Sequence, residues 1–127
     1  MKLQKIKTAA LTFALVIITL FLLSSFTIPG NGCDQYDGIT VDDVMNLSPE
    51  GYEEWSEKTS FMDGTYYEAI IEFSDGTRGR LYRGASSGRH FVEDSNGANY
   101  YYNSLRSAIR ALYLYKKYGC LTSKYRL

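Results

Sequence analysis

Hydrophobic and polar positions divide the chain into one long apolar run and a series of shorter amphipathic segments. Residues 8–28 read TAALTFALVIITLFLLSSFTI without a charged side chain, and residues 1–7 carry three lysines and no acid. A positive start ahead of an apolar run is typical of a secretory signal, and a run of 21 residues is also long enough to span a bilayer as a helix. Because lysines favour the cytoplasmic side, we expect the chain after residue 28 to lie outside the cytoplasm.

The fate of this N-terminal segment stays open on sequence alone. There is no A-x-A cleavage site, but Gly30 and Gly32 are small residues at the two positions that matter, and Cys33 follows them in an arrangement that resembles a lipoprotein signal. Residues 1–30 are therefore predicted to be a cleaved signal peptide, a retained membrane anchor through residues 8–28, or a segment replaced by a lipid on Cys33. All three alternatives place the rest of the chain in the cell envelope, membrane-anchored or periplasmic, or secreted beyond it.

Two short helices are predicted next. Thr40 and Asp43 have the spacing of a capping box, and the apolar positions that follow predict a helix over 41–47. The triplet SPE at residues 48–50 is a second helix start, because serine caps a helix and proline is tolerated in its first turn. Residues 58–64 are predicted to return to loop.

A strand is predicted over residues 65–73, where apolar and polar side chains alternate. The SDG turn at residues 74–76 allows two registers for the next strand. A three-residue loop with its glycine left-handed places Ile71 opposite Gly79 and keeps the apolar side chains on one face, whereas a two-residue loop mixes the faces. We therefore expect the three-residue loop.

A second hairpin is predicted over residues 89–93 and 99–102, with the dipeptide NG at residues 96–97 typical of a type I′ turn. Residues 84–88 join the two hairpins. They are too few for a helical crossover, so a four-stranded antiparallel meander is the simplest topology.

The best-defined element of the sequence is a helix near the end of the chain. Asn103 or Ser104 caps it, and apolar residues follow from Leu105 to Leu112 at the i, i+3, i+4, i+7 spacing. Gly119 ends it. Its apolar stripe needs a partner, and the apolar face of the sheet is available.

Together these elements predict an α+β fold of two layers, preceded by the N-terminal signal or anchor helix. Residues 31–64 contribute acidic short helices and loop. Residues 65–127 contribute the antiparallel sheet and the C-terminal helix, packed on one face of that sheet. Both parts belong to one domain, because a chain of 127 residues argues against two.

Charge is distributed unevenly, although 14 basic residues balance 14 acidic ones overall. Residues 33–76 hold twelve acids and a single lysine, whereas residues 77–127 hold ten Lys or Arg and two acids. Two interpretations fit this split. Either the halves fold against each other and neutralise, or they form separate surfaces, one of which meets a charged partner.

The two cysteines, Cys33 and Cys120, bracket almost the whole exported part. In an oxidising compartment an even pair is most simply a disulfide. A lipid on Cys33 would exclude this bridge and leave Cys120 free or paired between chains. Two cysteines are also too few for a disulfide-rich scaffold or a cysteine-only zinc site.

Little in the sequence is typical of a catalytic site. His90 is the only histidine and lies beside Arg89, which opposes its protonation, and no serine stands in a nucleophile-elbow pattern. The aspartates near Cys33 do not follow the calcium-loop spacing. We therefore predict no catalytic residue, no metal ligand and no cofactor. Neighbouring acids such as Glu53 and Glu54 leave a glycosidase-like pair as a pattern that counting does not exclude.

Tyrosine and arginine mark the candidate binding surface. Seven of the twelve tyrosines fall within residues 100–125, and both residue types are enriched in protein interfaces. Ordinary solvation of the helix, and ion pairing of the strand with Glu68 and Glu72, are the competing interpretations. The predicted surface comprises Arg78, Arg80 and Tyr82 on a strand, and Arg106, Arg110, Tyr113 and Lys117 on the last helix.

These features favour a small exported or membrane-anchored, non-enzymatic binding protein of the cell envelope. Its expected partner is a protein or an anionic envelope polymer, and an inhibitor or immunity-type role is one version. The alternative is binding of nucleic acid or anionic lipid by the basic half. A sheet with outward Arg and Tyr, followed by a packed helix, is similar in outline to the AP2/integrase-type DNA-binding domains, which implies reading of DNA by the sheet. An enzyme of an unrecognised kind is the third hypothesis.

Overall fold

The computed structural model describes residues 33–62 and 64–127, and the predicted signal peptide or anchor over 1–30 lies outside them. The described chain has the predicted α+β fold and opens with a 3-10 turn at Asp34–Tyr36. Its main elements are two helices, α1 (Val41–Met45) and α2 (Leu105–Tyr118), and five strands, β1 (Ser56–Ser60), β2 (Gly64–Glu72), β3 (Arg78–Gly84), β4 (His90–Glu93) and β5 (Asn99–Tyr101).

The five strands form one antiparallel meander in the order β1-β2-β3-β4-β5. The register of β2 and β3 is the predicted one, with Ile71 opposite Gly79, and Gly76 is left-handed with φ of 90°. Alternation gives the sheet two faces. The inner face is mostly apolar, and the outer face carries the even-numbered residues of β2 and β3 with Phe91 of β4 and Tyr101 of β5.

The tip of the β4–β5 hairpin differs from the predicted type I′ turn. The backbone N–H of Asp94 donates to Ala98 O at 2.9 Å, so three residues, 95–97, form the loop, and Gly97 is left-handed with φ of 84°. The Oδ1 atom of Asp94 accepts hydrogen bonds from the N–H groups of Asn96 and Ala98 at 2.9 and 2.8 Å. This side-chain turn stabilises the wider loop, so the two-residue interpretation is wrong.

The structure has a fifth strand, β1, at the start of the sheet. The predictions of four strands, of a second helix from residue 48 and of a loop over 58–64 are therefore wrong. Ser48 and Gly51 have positive φ values of 50° and 97°, which no helix accommodates. Glu50 instead forms an isolated bridge with Glu72, through N–H···O distances of 2.8 and 3.0 Å. The chain is thereby held along β2, and β1 pairs with β2 as a polar edge strand.

Helix α2 has the predicted ends. Ser104 is its N-cap and forms a capping box with Ser107, and Gly119 ends it in a left-handed conformation with φ of 70°. Among the residues that the structure describes, no helix is long and apolar enough to cross a membrane. The core between α2 and the inner face of the sheet includes Ala69, Ile71, Leu81, Val92, Ala108, Ile109 and Leu112.

Helix α2 is also covered away from the sheet. Helix α1, which begins with the predicted capping box of Thr40 and Asp43, packs on it. Cys33 and Cys120 form the predicted disulfide, with Cα atoms 5.3 Å apart and each residue only 4% exposed. As a result, the eight consecutive residues 107–114 of α2 are all buried.

Residues 122–127 close one edge of the sheet. Tyr102, directly after β5, forms an isolated bridge with Arg126, and the N–H of Leu127 donates to Tyr101 O at 2.9 Å. The buried phenol of Tyr102 donates to Thr122 O at 2.6 Å, and burial raises its pKa to about 12. The edge beside β5 is thus paired, and β1 forms the other edge.

The described domain has two unlike ends, which we name the turn pole and the tip pole. The turn pole holds the β2–β3 turn, the β4–β5 loop and the end of α2, because Lys117 donates to Asp75 at 2.8 Å and Tyr115 OH accepts from the N–H of Ser95 at 2.9 Å. The disulfide follows the end of α2 at this pole. The tip pole holds the β1–β2 hairpin tip, about 30 Å away along the nine residues of β2.

Candidate binding surface

The charge split between the two halves of the sequence is resolved by pairing. The described residues form four salt bridges, and each joins an acid from residues 33–76 to a base from residues 77–127. The neutralising interpretation is therefore correct for these four bases. The pairs are Glu72–Arg78 at 3.2 Å, Glu68–Arg80 at 3.5 Å, Asp42–Arg106 at 2.7 Å and Asp75–Lys117 at 2.8 Å.

The helical part of the predicted binding residues does not form a surface. Arg110 is 1% exposed and its Nε donates to Ile39 O at 2.7 Å, while Tyr113 is 5% exposed. The prediction is wrong for both: the segment before α1 covers Arg110, and Tyr113 packs against Phe73 and the β2–β3 turn. Arg106 and Lys117 are exposed, but each is engaged by an acid. Both also lie on the helix layer, across the sheet from its outer face.

Tyr113 and Lys117 belong to a cluster that fastens the β2–β3 turn to α2. The Oδ2 atom of Asp75 accepts from Tyr113 OH at 2.7 Å and from Lys117 Nζ at 2.8 Å. The hydrogen bond from Lys117, and then that from Tyr113, hold the pKa of Asp75 well below its usual range, and the Asp75 contact raises the pKa of Lys117. Burial, followed by the bond to Asp75, raises the pKa of Tyr113. The cluster therefore holds a turn in place.

The strand part of the predicted binding residues lies on the outer face, as expected. Arg78 and Arg80 have 61% and 64% of their side chains exposed, and Tyr82 is half-buried. Each arginine binds the opposing or neighbouring glutamate of β2 through Nε, at 3.2 and 3.5 Å. Burial, and then the nearby carboxylates, raise the pKa of Tyr82.

Tyr82 belongs to an aromatic row across the outer face, which sequence reasoning missed. Tyr66, Tyr82, Phe91 and Tyr101 contribute one ring each from β2 to β5, with successive ring centroids 5.8, 5.3 and 4.9 Å apart. The rings of Tyr82 and Phe91 are stacked at 17°, and Phe91 is only 6% exposed. The strand register is the feature of the sequence from which the row could have been found. Alternation places all four residues on one face once every hairpin is aligned.

Two shallow grooves flank this aromatic row. The first, of about 400 Å³, is bounded by the row, by Glu93 and by the loop at residues 84–87. The second, of about 460 Å³, extends from Tyr82 towards the turn pole. Its lining includes Ile70, Arg78, Arg80, Glu93 and Lys116. Helix α2 packs on the inner face and reaches the second groove through Lys116.

A second aromatic cluster surrounds Arg83 on the inner face near the tip pole. The guanidinium carbon lies 4.7 Å from the ring centroid of Trp55 and 4.9 Å from that of Tyr67. His90 stands opposite Arg83 in the β3–β4 pair, and burial followed by the charge of Arg83 lowers its pKa. The cation that opposes protonation of His90 is thus Arg83, rather than the Arg89 named from sequence.

The outer face presents aromatic ring edges, phenol hydroxyls and guanidinium groups, which are side-chain groups suited to binding. Within residues 33–62 and 64–127, no group of three or more His, Cys, Asp or Glu side chains is placed to hold a metal ion. No family model matches the chain, and no curated protein or solved structure is significantly similar to it.

Proposed function

We propose that the domain is the non-enzymatic binding module of an exported protein, and that it binds another protein on the outer face of its sheet. The observation that carries the proposal is the aromatic row of Tyr66, Tyr82, Phe91 and Tyr101 between two open grooves. Tyr and Arg present large contact areas and keep polar tips, which is why they dominate protein interfaces. Ile70, 41% exposed, adds an apolar contact beside the row.

The exported setting rests on two independent features. The sequence has a lysine-rich start and an uncharged run at residues 8–28. The disulfide between Cys33 and Cys120 supports the same setting, because disulfides persist in oxidising compartments and are rare in the cytosol.

The outer face fits a protein better than a nucleic acid or an anionic lipid. Three of its strand residues are acids, Glu68, Glu72 and Glu93, and these offset the arginines of β3, whereas polyanion binding calls for an excess of positive charge. The rings of Tyr82 and Phe91 are stacked on each other, which leaves less ring face free for bases. Ring edges and hydroxyls remain, and these suit the mixed polarity of a protein surface.

Site-specific photo-crosslinking in the cells that make the protein tests the proposal. A benzophenone amino acid replaces Ile70 in the full-length chain, and the control chain carries it at Asn46, an exposed residue at the end of α1 on the helix layer. We expect Ile70 to give one protease-sensitive adduct whose partner mass spectrometry identifies, and Asn46 to give none. Adding Tyr82→Ala to the Ile70 probe should reduce the adduct, because the change removes the centre of the row.

Three results would overturn this proposal. Equal adducts from Ile70 and Asn46 would mean that the outer face is not preferred. An adduct sensitive to nuclease or lipid extraction, but not to protease, would replace the protein partner by a nucleic acid or a lipid. Absence of any Ile70 adduct, in a chain whose circular dichroism matches the native one, would remove the surface from consideration.

A further inference from the structure

The groove nearer the turn pole carries more positive charge than the rest of the outer face. Arg78, Arg80 and Lys116 line it, against the single acid Glu93. A glutamate of β2 forms an ion pair with each of the two arginines, at Nε–Oε1 distances of 3.2 and 3.5 Å. The two arginines form no hydrogen bond or ion pair with any other described residue, and 61% and 64% of their side chains are exposed.

The spacing of these two arginines suits an extended chain. Arg78 and Arg80 are alternate residues of β3, so their side chains leave the same face about 7 Å apart. Alternate residues of an extended peptide have the same spacing. Ile70, which stands opposite Arg80 in β2, and Tyr82 place apolar surface beside the two cations.

We propose that this groove binds an acidic segment of the partner protein in extended conformation. Carboxylates at alternate positions of the segment contact Arg78 and Arg80, and the backbone of the segment passes beside Ile70 and Tyr82. Arginine suits this task because its terminal nitrogens form bidentate hydrogen bonds with a carboxylate, which lysine cannot do. The inference rests on the proposed function and adds the chemistry of the partner.

An acidic peptide fits the groove better than a phosphate polymer. A nucleic acid presents a phosphate at each nucleotide, so several of its charges would face Glu68, Glu72 and Glu93 of the same sheet face. A peptide that alternates acidic and apolar residues meets the arginines with its acids and keeps the intervening positions uncharged. Charge complementarity therefore favours the peptide.

Fluorescence anisotropy with the purified full-length chain tests the inference. The probe is a labelled peptide in which glutamate and leucine alternate, and the comparison peptide carries the same number of glutamates, each separated by two leucines, so that neighbouring glutamates point to opposite faces. The variant R78Q/R80Q removes the two charges, and R89Q is the matched control, because Arg89 is exposed and lies outside the groove. We expect the alternating peptide to bind best, R78Q/R80Q to weaken it about 10-fold, and R89Q to leave it unchanged.

Several outcomes would overturn the inference. They are no binding of the alternating peptide, equal binding of both peptides, and equal losses in R89Q and R78Q/R80Q. A single-stranded oligonucleotide that binds more tightly than the peptide, with a steep loss on added salt, would favour a polyanion instead. If Ile70 crosslinks to a protein while R78Q/R80Q keeps full peptide affinity, the proposed function stands and the acidic-segment inference falls.

Discussion

Breaking the bridge between Cys33 and Cys120 should remove a large part of the domain's stability. The two cysteines are 87 positions apart, so the bridge closes most of the described chain into one loop. In the chain-entropy model a loop of this length stabilises the fold by about 4–5 kcal/mol, because it restricts the unfolded chain. A small domain has a free energy of unfolding of about 5–15 kcal/mol, so the expected loss is a third of it or more.

Urea unfolding followed by the fluorescence of Trp55 measures this loss. Trp55 is the only tryptophan and lies against Arg83 and His90, so its emission reports on native packing. The oxidised protein is compared with protein reduced in denaturant and refolded under reductant, which keeps both sulfur atoms. We expect the reduced protein to lose about 4 kcal/mol. The variant C33S/C120S should lose more, because both positions are 4% exposed and serine places a hydroxyl there.

A common urea midpoint for oxidised and reduced protein would refute this reasoning, because the sulfur atoms pack in both. If the mass of the purified protein does not change on reduction, the protein has no bridge and the premise of this prediction is wrong. A loss confined to C33S/C120S would assign the stabilisation to packing rather than to the cross-link.

Three further predictions concern pH and backbone strain. Because the pKa of Tyr102 rises from 10.0 to about 12, the folded state keeps a proton that the unfolded state releases, and the free energy of unfolding should fall by about 2 kcal/mol between pH 10 and 12. Across this pH range the urea midpoint of Tyr102→Phe should fall less than that of the native protein. Equal falls in the two proteins would contradict the assignment of the effect to Tyr102. The pKa of Asp75 is held below its ordinary value of 3.8, so its contribution to the free energy of unfolding is complete above pH 3.8 and is lost as the pH falls below that value. Asp75→Asn should therefore flatten the dependence of the urea midpoint on pH in the acid range. Gly51→Ala should cost more than about 2 kcal/mol, because φ is 97° and an added Cβ meets the carbonyl of Ile70. Gly76→Ala, with φ of 90° and open space, should cost about 1 kcal/mol, and equal thermal shifts in the two variants would count against the steric account.

Local chemistry made part of this fold predictable from the sequence. The capping box of Thr40 and Asp43 was predicted from their spacing, and Ser104 was one of two predicted caps of the last helix; the structure has both helix starts. The β2–β3 register follows from keeping apolar side chains on one face, which is a property of the hairpin alone. The disulfide was predictable because only one intramolecular pairing of two cysteines exists.

Features that depend on distant parts of the chain were not predictable in the same way. Strand β1 is polar and forms because the bridge between Glu50 and Glu72 holds the chain along β2. The helical pattern identifies the apolar side of α2 but not that α1 covers another side, which is why Arg110 was placed on the surface. Of the aromatic row, sequence reasoning found Tyr82 alone, because the other rings join it only when three hairpins are aligned at once.

The pairing of the last residues beside β5 has a consequence for proteolysis. The N–H of Asn103 donates to Tyr125 O, and the N–H of Leu127 donates to Tyr101 O, so a cut before residue 125 would remove both hydrogen bonds from this edge. An unpaired strand edge is a template for another chain, and the sequence of β5, NYY, has no charge to oppose such pairing. The β1 edge carries Glu57 and Lys58 as protection. A cut before residue 125 would therefore expose an uncharged sheet edge to pairing with another chain.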